Sequence, residues 1–155
     1  MIDRRVVPTD ADPSHVYWAF RRIGGKVGYY GLNWAWRGRA LLDRIIGGVG
    51  FRRGRRDPDA LCVGEAVDFW RVEALEPQRL LRLCAEMRLP GEARLEWLIV
   101  PTAQGSDLIQ TAYFKPRGMA GRIYWAAMWP FHRVIFPRMA CAIAAAAEER
   151  GYSCS

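Results

Sequence analysis

Residues 81–99, LRLCAEMRLPGEARLEWLI, decide the fold of this chain. Leu81, Leu83, Ala85 and Met87 alternate with Arg82, Cys84, Glu86 and Arg88, and a period of two places one set on each face of a strand. Pro90 and Gly91 then turn the chain. The alternation resumes with Ala93, Leu95, Trp97 and Ile99 against Arg94 and Glu96. Two strands joined by so short a turn pair antiparallel, with one apolar face and one charged face.

Working outward, Ala66 to Ala74 reads as a preceding strand, with Ala66, Asp68, Trp70, Val72 and Ala74 inward and Val67, Phe69, Arg71 and Glu73 outward. After Pro101 and a turn through Gly105, Leu108 to Phe114 reads as a following strand. Its parity is ambiguous, and Leu108, Gln110, Ala112 and Phe114 are assigned inward against Ile109, Thr111 and Tyr113. From about Gly118 to Glu149 the period becomes helical. Tyr124, Trp125, Met128, Ile135, Phe136, Met139, Ile143 and Ala146 approximate the i, i+3, i+4 stripe of a helix lying on a sheet. Pro130 and Pro137 each remove a backbone donor and crowd the preceding turn, which predicts a kink or break near Trp129 to Phe131.

The first part of the chain supplies a short strand, Ile2 to Val7, ended by Pro8. Asp12 followed by Pro13 is a helix start, with His15 to Arg22 continuing the helix and Gly24 and Gly25 ending it. Asn33 to Ile46 reads as a second helix, stopped by Gly47, Gly48 and Gly50. The resulting expectation is an α+β fold over residues 1–155 as one domain, a curved antiparallel sheet closed by a long C-terminal helix. Such an arrangement often encloses an apolar pocket.

Composition narrows the function classes. Hydrophobic residues make up 51% and charged residues 25%, which excludes a disordered chain. Cys62, Cys84, Cys141 and Cys154 form no CxxC pair, and neither histidine stands at ligand spacing from them, so no metal site and no cofactor is predicted. MIDRRVVPTD is too charged for a signal peptide, which makes the cytoplasm the default location. His132, Arg133 and Arg138 interrupt the apolar run of the last helix, so a membrane span is rejected.

The net charge of +7 is uneven: residues 1–60 hold 12 Lys or Arg against 6 Asp or Glu, while residues 61–155 hold 11 against 10. The densest basic piece is Arg52, Arg53, Arg55 and Arg56. It offers phosphate or an anionic surface a binding loop, but only Phe51 stands beside it as the aromatic an RNA site would need, so nucleic acid is not expected. A solvated loop that pairs with Asp57 and Asp59 is the preferred reading. Gly48, Gly50 and Gly54 miss the dinucleotide-binding spacing, and Lys26 is followed by Val27 rather than the hydroxyl residue of a P-loop.

The candidate site residues are polar groups on faces read as inward. Asp68 and Gln110 lie among Trp70, Leu83, Met87, Leu95 and Trp97; burial demands that each find a protein partner or a ligand, and a protein partner or a misread parity is preferred. His132 lies on the inward helix stripe between Met128 and Ile135. An imidazole titrates near ~6.5 when unperturbed, so it suits acid or base work, although a satisfied structural histidine is the commoner case. Trp70, Trp97, Trp125, Trp129 and Phe136 provide aromatic walls for a pocket and serve equally as core.

The order of elements resembles the helix-grip fold of the START, Bet v 1 and polyketide-cyclase-like superfamily. The stretches RRIGGKVGYYGLNWAWRGRALLDRIIGGVGFRRGRRDP (21–58), EMRLPGEARLEW (86–97), QTAYFKPRGMAGRIYW (110–125) and PFHRVIF (130–136) look like a family of that superfamily without established activity. Members of that family often follow a short-chain-dehydrogenase-like NAD(P)-binding domain, and no such domain precedes these residues. The resemblance implies the fold and a hydrophobic cavity; it carries over no catalytic residues. The leading expectation is binding of a small, mainly hydrophobic molecule between sheet and terminal helix, with Asp68, Gln110 and His132 setting specificity against walls from Trp70, Trp97, Trp125 and Phe136. The alternatives are a cyclase or isomerase in which Asp68 or His132 moves a proton, and a non-catalytic partner of a separate dehydrogenase-like protein.

Overall fold

The computed structural model describes residues 1–24, 28–30, 57 and 61–153. The predicted helix from Asn33 to Ile46 and the Arg52–Arg56 loop lie outside the described residues. The elements are β1 (Ile2–Thr9), α1 (Pro13–Arg21), β2 (Ala66–Val67), β3 (Trp70–Glu76), β4 (Leu80–Ala85), β5 (Gly91–Thr102), β6 (Gly105–Pro116) and α2 (Gly118–Ser153). Six strands form one antiparallel sheet in the order β1-β6-β5-β4-β3-β2, so a meander from β2 to β6 is completed by the first strand of the chain. With α2 packed on this sheet, the architecture is the expected α+β helix grip.

Three strands show the predicted parity. Leu81 and Leu83 of β4, Leu95, Trp97 and Ile99 of β5, and Leu108, Gln110, Ala112 and Phe114 of β6 are all buried on the helix side. The opposite face carries ion pairs: Arg82 of β4 with Glu96 of β5 at 2.6 Å, Arg94 of β5 reaching past β4 to Glu73 of β3 at 2.9 Å, and Arg71 of β3 with Glu86, just beyond β4, at 2.5 Å. Like alternation, this charge pairing fixes register, because a slip of one residue would drive the charges into the core.

The predicted strand from Ala66 to Ala74 is corrected at two points. First, Val67 pairs with Trp70, leaving Asp68 and Phe69 as a two-residue hairpin turn, with Asp68 at φ 54°. Val67 and Phe69 are therefore buried rather than outward, and Ala66 is not buried. Second, the pairing of β3 with β4 shifts between Val72 and Ala74, so parity reverses after Glu73. Leu75, not Ala74, then packs against the core. Trp70 and Val72, between the two irregularities, face inward as predicted.

In α1 the Asp12 carboxylate accepts from the Ser14 N–H at 2.8 Å, and Pro13 stands where a missing donor is harmless. Val16, Ala19 and Phe20 turn to the core. The long helix α2 runs through Pro130 and Pro137 as one continuous helix, so of the expected kink or break near Trp129 to Phe131 the break does not occur. Its start is held against the β4–β5 turn: Arg117 N–H donates to the Pro90 carbonyl at 2.8 Å, and a Cβ added at Gly121 would stand 2.3 Å from that same oxygen. Only glycine allows so close an approach. No helix among the described residues is long and apolar enough to cross a membrane.

Candidate functional site

The sheet floor beneath α2 is built on one buried polar strap. Trp97 and Gln110 face each other across β5 and β6. The Trp97 indole donates to Gln110 Oε1 at 2.9 Å, and Gln110 Nε2 donates to the carbonyl of Phe136 in α2 at 3.1 Å. Both side chains are fully buried. Gln110 thus has protein partners at both ends of its amide, and it ties two strands to the helix. Its position on the inner face is as predicted, and it meets the rule that a buried amide must be satisfied.

Above this floor, α2 changes character along its length. Phe136, Met139, Ala140, Ile143, Ala144 and Ala147 are buried. Tyr124, Trp125, Met128 and His132, on the same side one to three turns earlier, are only half-buried. They are joined by ring contacts. Phe114 of β6 stacks on Trp125 at 5.6 Å, Trp125 meets His132 edge-on at 4.9 Å, and His132 meets Phe136 edge-on at 4.4 Å. Trp129 extends the file from Trp125 at 5.9 Å, and Tyr124 touches Phe114 at 5.5 Å. Trp125, His132 and Phe136 recur at intervals of seven and four residues, which stacks them along one helix face.

Asp68 belongs to a second cluster at the β2–β3 end of the sheet. It is buried, and the Tyr29 hydroxyl donates to its Oδ2 at 3.0 Å. The Tyr29 ring stacks on Phe69 at 6.0 Å, and Phe69 lies 5.5 Å from Trp70. Burial pushes the Tyr29 phenol well above its ordinary value, and the Asp68 carboxylate raises it further. Neutral Tyr29 is therefore a held proton donor. Gly24, with φ 85°, lets the chain pass close to this pair, since an added Cβ would stand 3.1 Å from Asp68 Oδ2.

The predicted residues thus divide. Trp97, Gln110 and Phe136 are joined by hydrogen bonds, and Trp125, His132 and Phe136 by ring contacts, whereas Asp68 and Trp70 sit with Tyr29 and Phe69. Sequence reading missed Tyr29, Phe69 and Phe114. Phe114 had the signal of inward parity; Tyr29 lies between glycines in a stretch with no period, and only its rings could have suggested core. Among the described residues, no group of three His, Cys, Asp or Glu is placed to hold a metal ion.

Comparison with solved structures reveals the same fold at low identity. A structural-genomics protein from Chromobacterium violaceum is 18% identical, with 95% of this chain and 96% of that chain covered and a TM-score of 0.53. The di-domain ARO/CYC StfQ from the steffimycin biosynthetic pathway is 14% identical at TM-score 0.54; 97% of this chain is covered but only 51% of that one. Norcoclaurine synthase from Thalictrum flavum, in complex with dopamine and hydroxybenzaldehyde, is 13% identical at TM-score 0.53, with 96% and 87% covered. No curated protein matches the chain in sequence. The family described as Protein of unknown function (DUF2867) matches residues 1–139.

Proposed function

This chain belongs to the DUF2867 family, within the START, Bet v 1 and polyketide-cyclase-like helix-grip superfamily, and on that premise we propose that it binds a small, mainly hydrophobic molecule between the inner face of the sheet and the first half of α2. One observation carries the reading: Trp125 and His132, in file between buried Phe114 and buried Phe136, stay partly open, while the second half of the same helix is packed shut. Aromatic walls with few polar groups suit an apolar or ring-bearing ligand. His132 brings an imidazole into the file, a group suited to a hydrogen bond with one end of such a molecule. The norcoclaurine synthase complex supports this reading, since that protein of like fold holds dopamine and hydroxybenzaldehyde.

A catalytic role on the same scaffold draws on the Tyr29–Asp68 pair. A phenol kept protonated beside a carboxylate is equipped to donate to a developing negative charge. The test is native mass spectrometry of freshly purified protein, followed by titration with the apolar dye anilinonaphthalene sulfonate. We expect a co-purified small molecule, or saturable dye binding that Trp125→Ala weakens and Tyr29→Phe leaves intact. A bare mass together with dye binding indifferent to Trp125→Ala overturns the site.

A further inference from the structure

The sheet-facing side of α2 is not its only apolar side. Met119, Ile123, Ala127, Pro130 and Val134 recur at intervals of three or four residues on the face turned from the sheet. Met119 is 67% exposed, Ile123 64%, Val134 48% and the neighbouring Phe131 53%. From Met119 to Val134 the stripe is ~22 Å long at the rise of an α-helix. Single exposed apolar residues are ordinary, whereas a continuous stripe of them marks an interaction surface.

Its borders are basic. Arg122 and Arg133 stand eleven residues apart, about three turns, and so share one flank of the stripe; Arg138 falls on the other. Lys115 and Arg117 lie just before the helix. No Asp or Glu occurs between Asp107 and Glu148. A second copy docked by a two-fold contact on this stripe would bring these arginines against their own duplicates, a like-charge arrangement that disfavours association. An apolar helix face rimmed by cations, with no acid on the helix before Glu148, complements a bilayer surface carrying negative headgroups.

We propose that the outer face of the first half of α2 docks on an anionic phospholipid surface. The helix lies along the membrane plane, with Met119, Ile123, Phe131 and Val134 entering the headgroup boundary and Arg122, Arg133 and Arg138 meeting the phosphates. This surface is distinct from the aromatic file, which faces the sheet, and the proposal stands whether or not the chain holds a ligand there.

The experiment is co-sedimentation of the full chain with vesicles of phosphatidylcholine alone and of an equal mixture of phosphatidylcholine and phosphatidylglycerol. The protein should pellet with the mixed vesicles, remain in solution with phosphatidylcholine alone, and be released as salt rises through about 0.5 M. The variant Ile123→Glu with Val134→Glu, verified as folded by circular dichroism and thermal melting, should partition about tenfold less or weaker still. Arg122→Glu with Arg133→Glu should do the same without touching the apolar stripe. Failure of the wild-type chain to pellet, or binding that survives Ile123→Glu with Val134→Glu through some other basic segment, overturns the proposal. So does self-association or capture of an acidic protein through this face in the absence of vesicle binding.

Discussion

The amide of Gln110 and the phenol of Tyr29 are buried polar side chains whose partners tie distant parts of the core together. Replacing Gln110 by Leu leaves the Trp97 indole N–H without its acceptor and cuts the link to the Phe136 carbonyl. An orphaned buried donor costs about 1–3 kcal/mol, so Gln110→Leu should lower stability in urea denaturation by that order. Trp97→Phe in the same background should then add less than it costs alone, since its partner is already gone. Tyr29→Phe leaves the Asp68 carboxylate short of a donor and should likewise cost about 1–3 kcal/mol near neutrality. Its pH signature is separate. The folded phenol titrates well above the ordinary value of 10.0, so both states keep the proton below that pH, and only the unfolded chain releases it just above. Wild-type stability must therefore fall as pH rises past 10.0, and the Tyr29→Phe profile should fall less steeply. Parallel profiles would show that the phenol is not held as the structure places it.

At the scale of elements, Gly121 offers a test by sign. In an ordinary helix Gly to Ala stabilises by about 1 kcal/mol. Here the new Cβ would meet the Pro90 carbonyl at 2.3 Å and the Pro116 ring at 2.7 Å, so Gly121→Ala should destabilise, by about 1–3 kcal/mol in thermal or urea unfolding. The same elements show what a linear reading resolves. Leu81 to Met87 and Ala93 to Ile99 are legible because each alternates without interruption, whereas Leu108 to Phe114 is apolar on both parities and its inward set is fixed only by the pairing with β5. The Ala66 to Ala74 segment is not legible, because its turn is made by Asp68 and Phe69, which carry no Gly, Pro or Asn signal, and because the irregularity near Glu73 reverses parity without leaving a mark in composition. Pro130 suggested a kink or a break, and the break does not occur: the helix continues, and its second half is anchored by Phe136, Met139 and Ile143 in the core. The site was legible in part. Trp97, Gln110, Trp125, His132 and Phe136 followed from periodicity, whereas the partnership of Tyr29 with Asp68 spans 39 residues and no local pattern encodes it.

The whole molecule is closed by its first residues. β1 pairs with β6 along its full length, the Met1 ammonium donates to the Phe114 carbonyl at 2.8 Å, and Thr9 Oγ1 donates to Glu148 at 2.5 Å. Removing residues 1–9 would leave the long β6 edge unpaired, and such an edge recruits other chains. The truncated protein should elute as aggregates in size-exclusion chromatography, where the full chain elutes without them. Pairings this distant also slow folding, since loop closure precedes the contacts that reward it. The closure has a counterpart in synthesis. Met1 leaves the ribosome 113 residues ahead of Phe114, an interval on the order of ten seconds at ordinary elongation rates. Throughout that wait the nascent strand has no native neighbour, and Asp3, Arg4, Arg5 and Pro8 keep it from acquiring a foreign one.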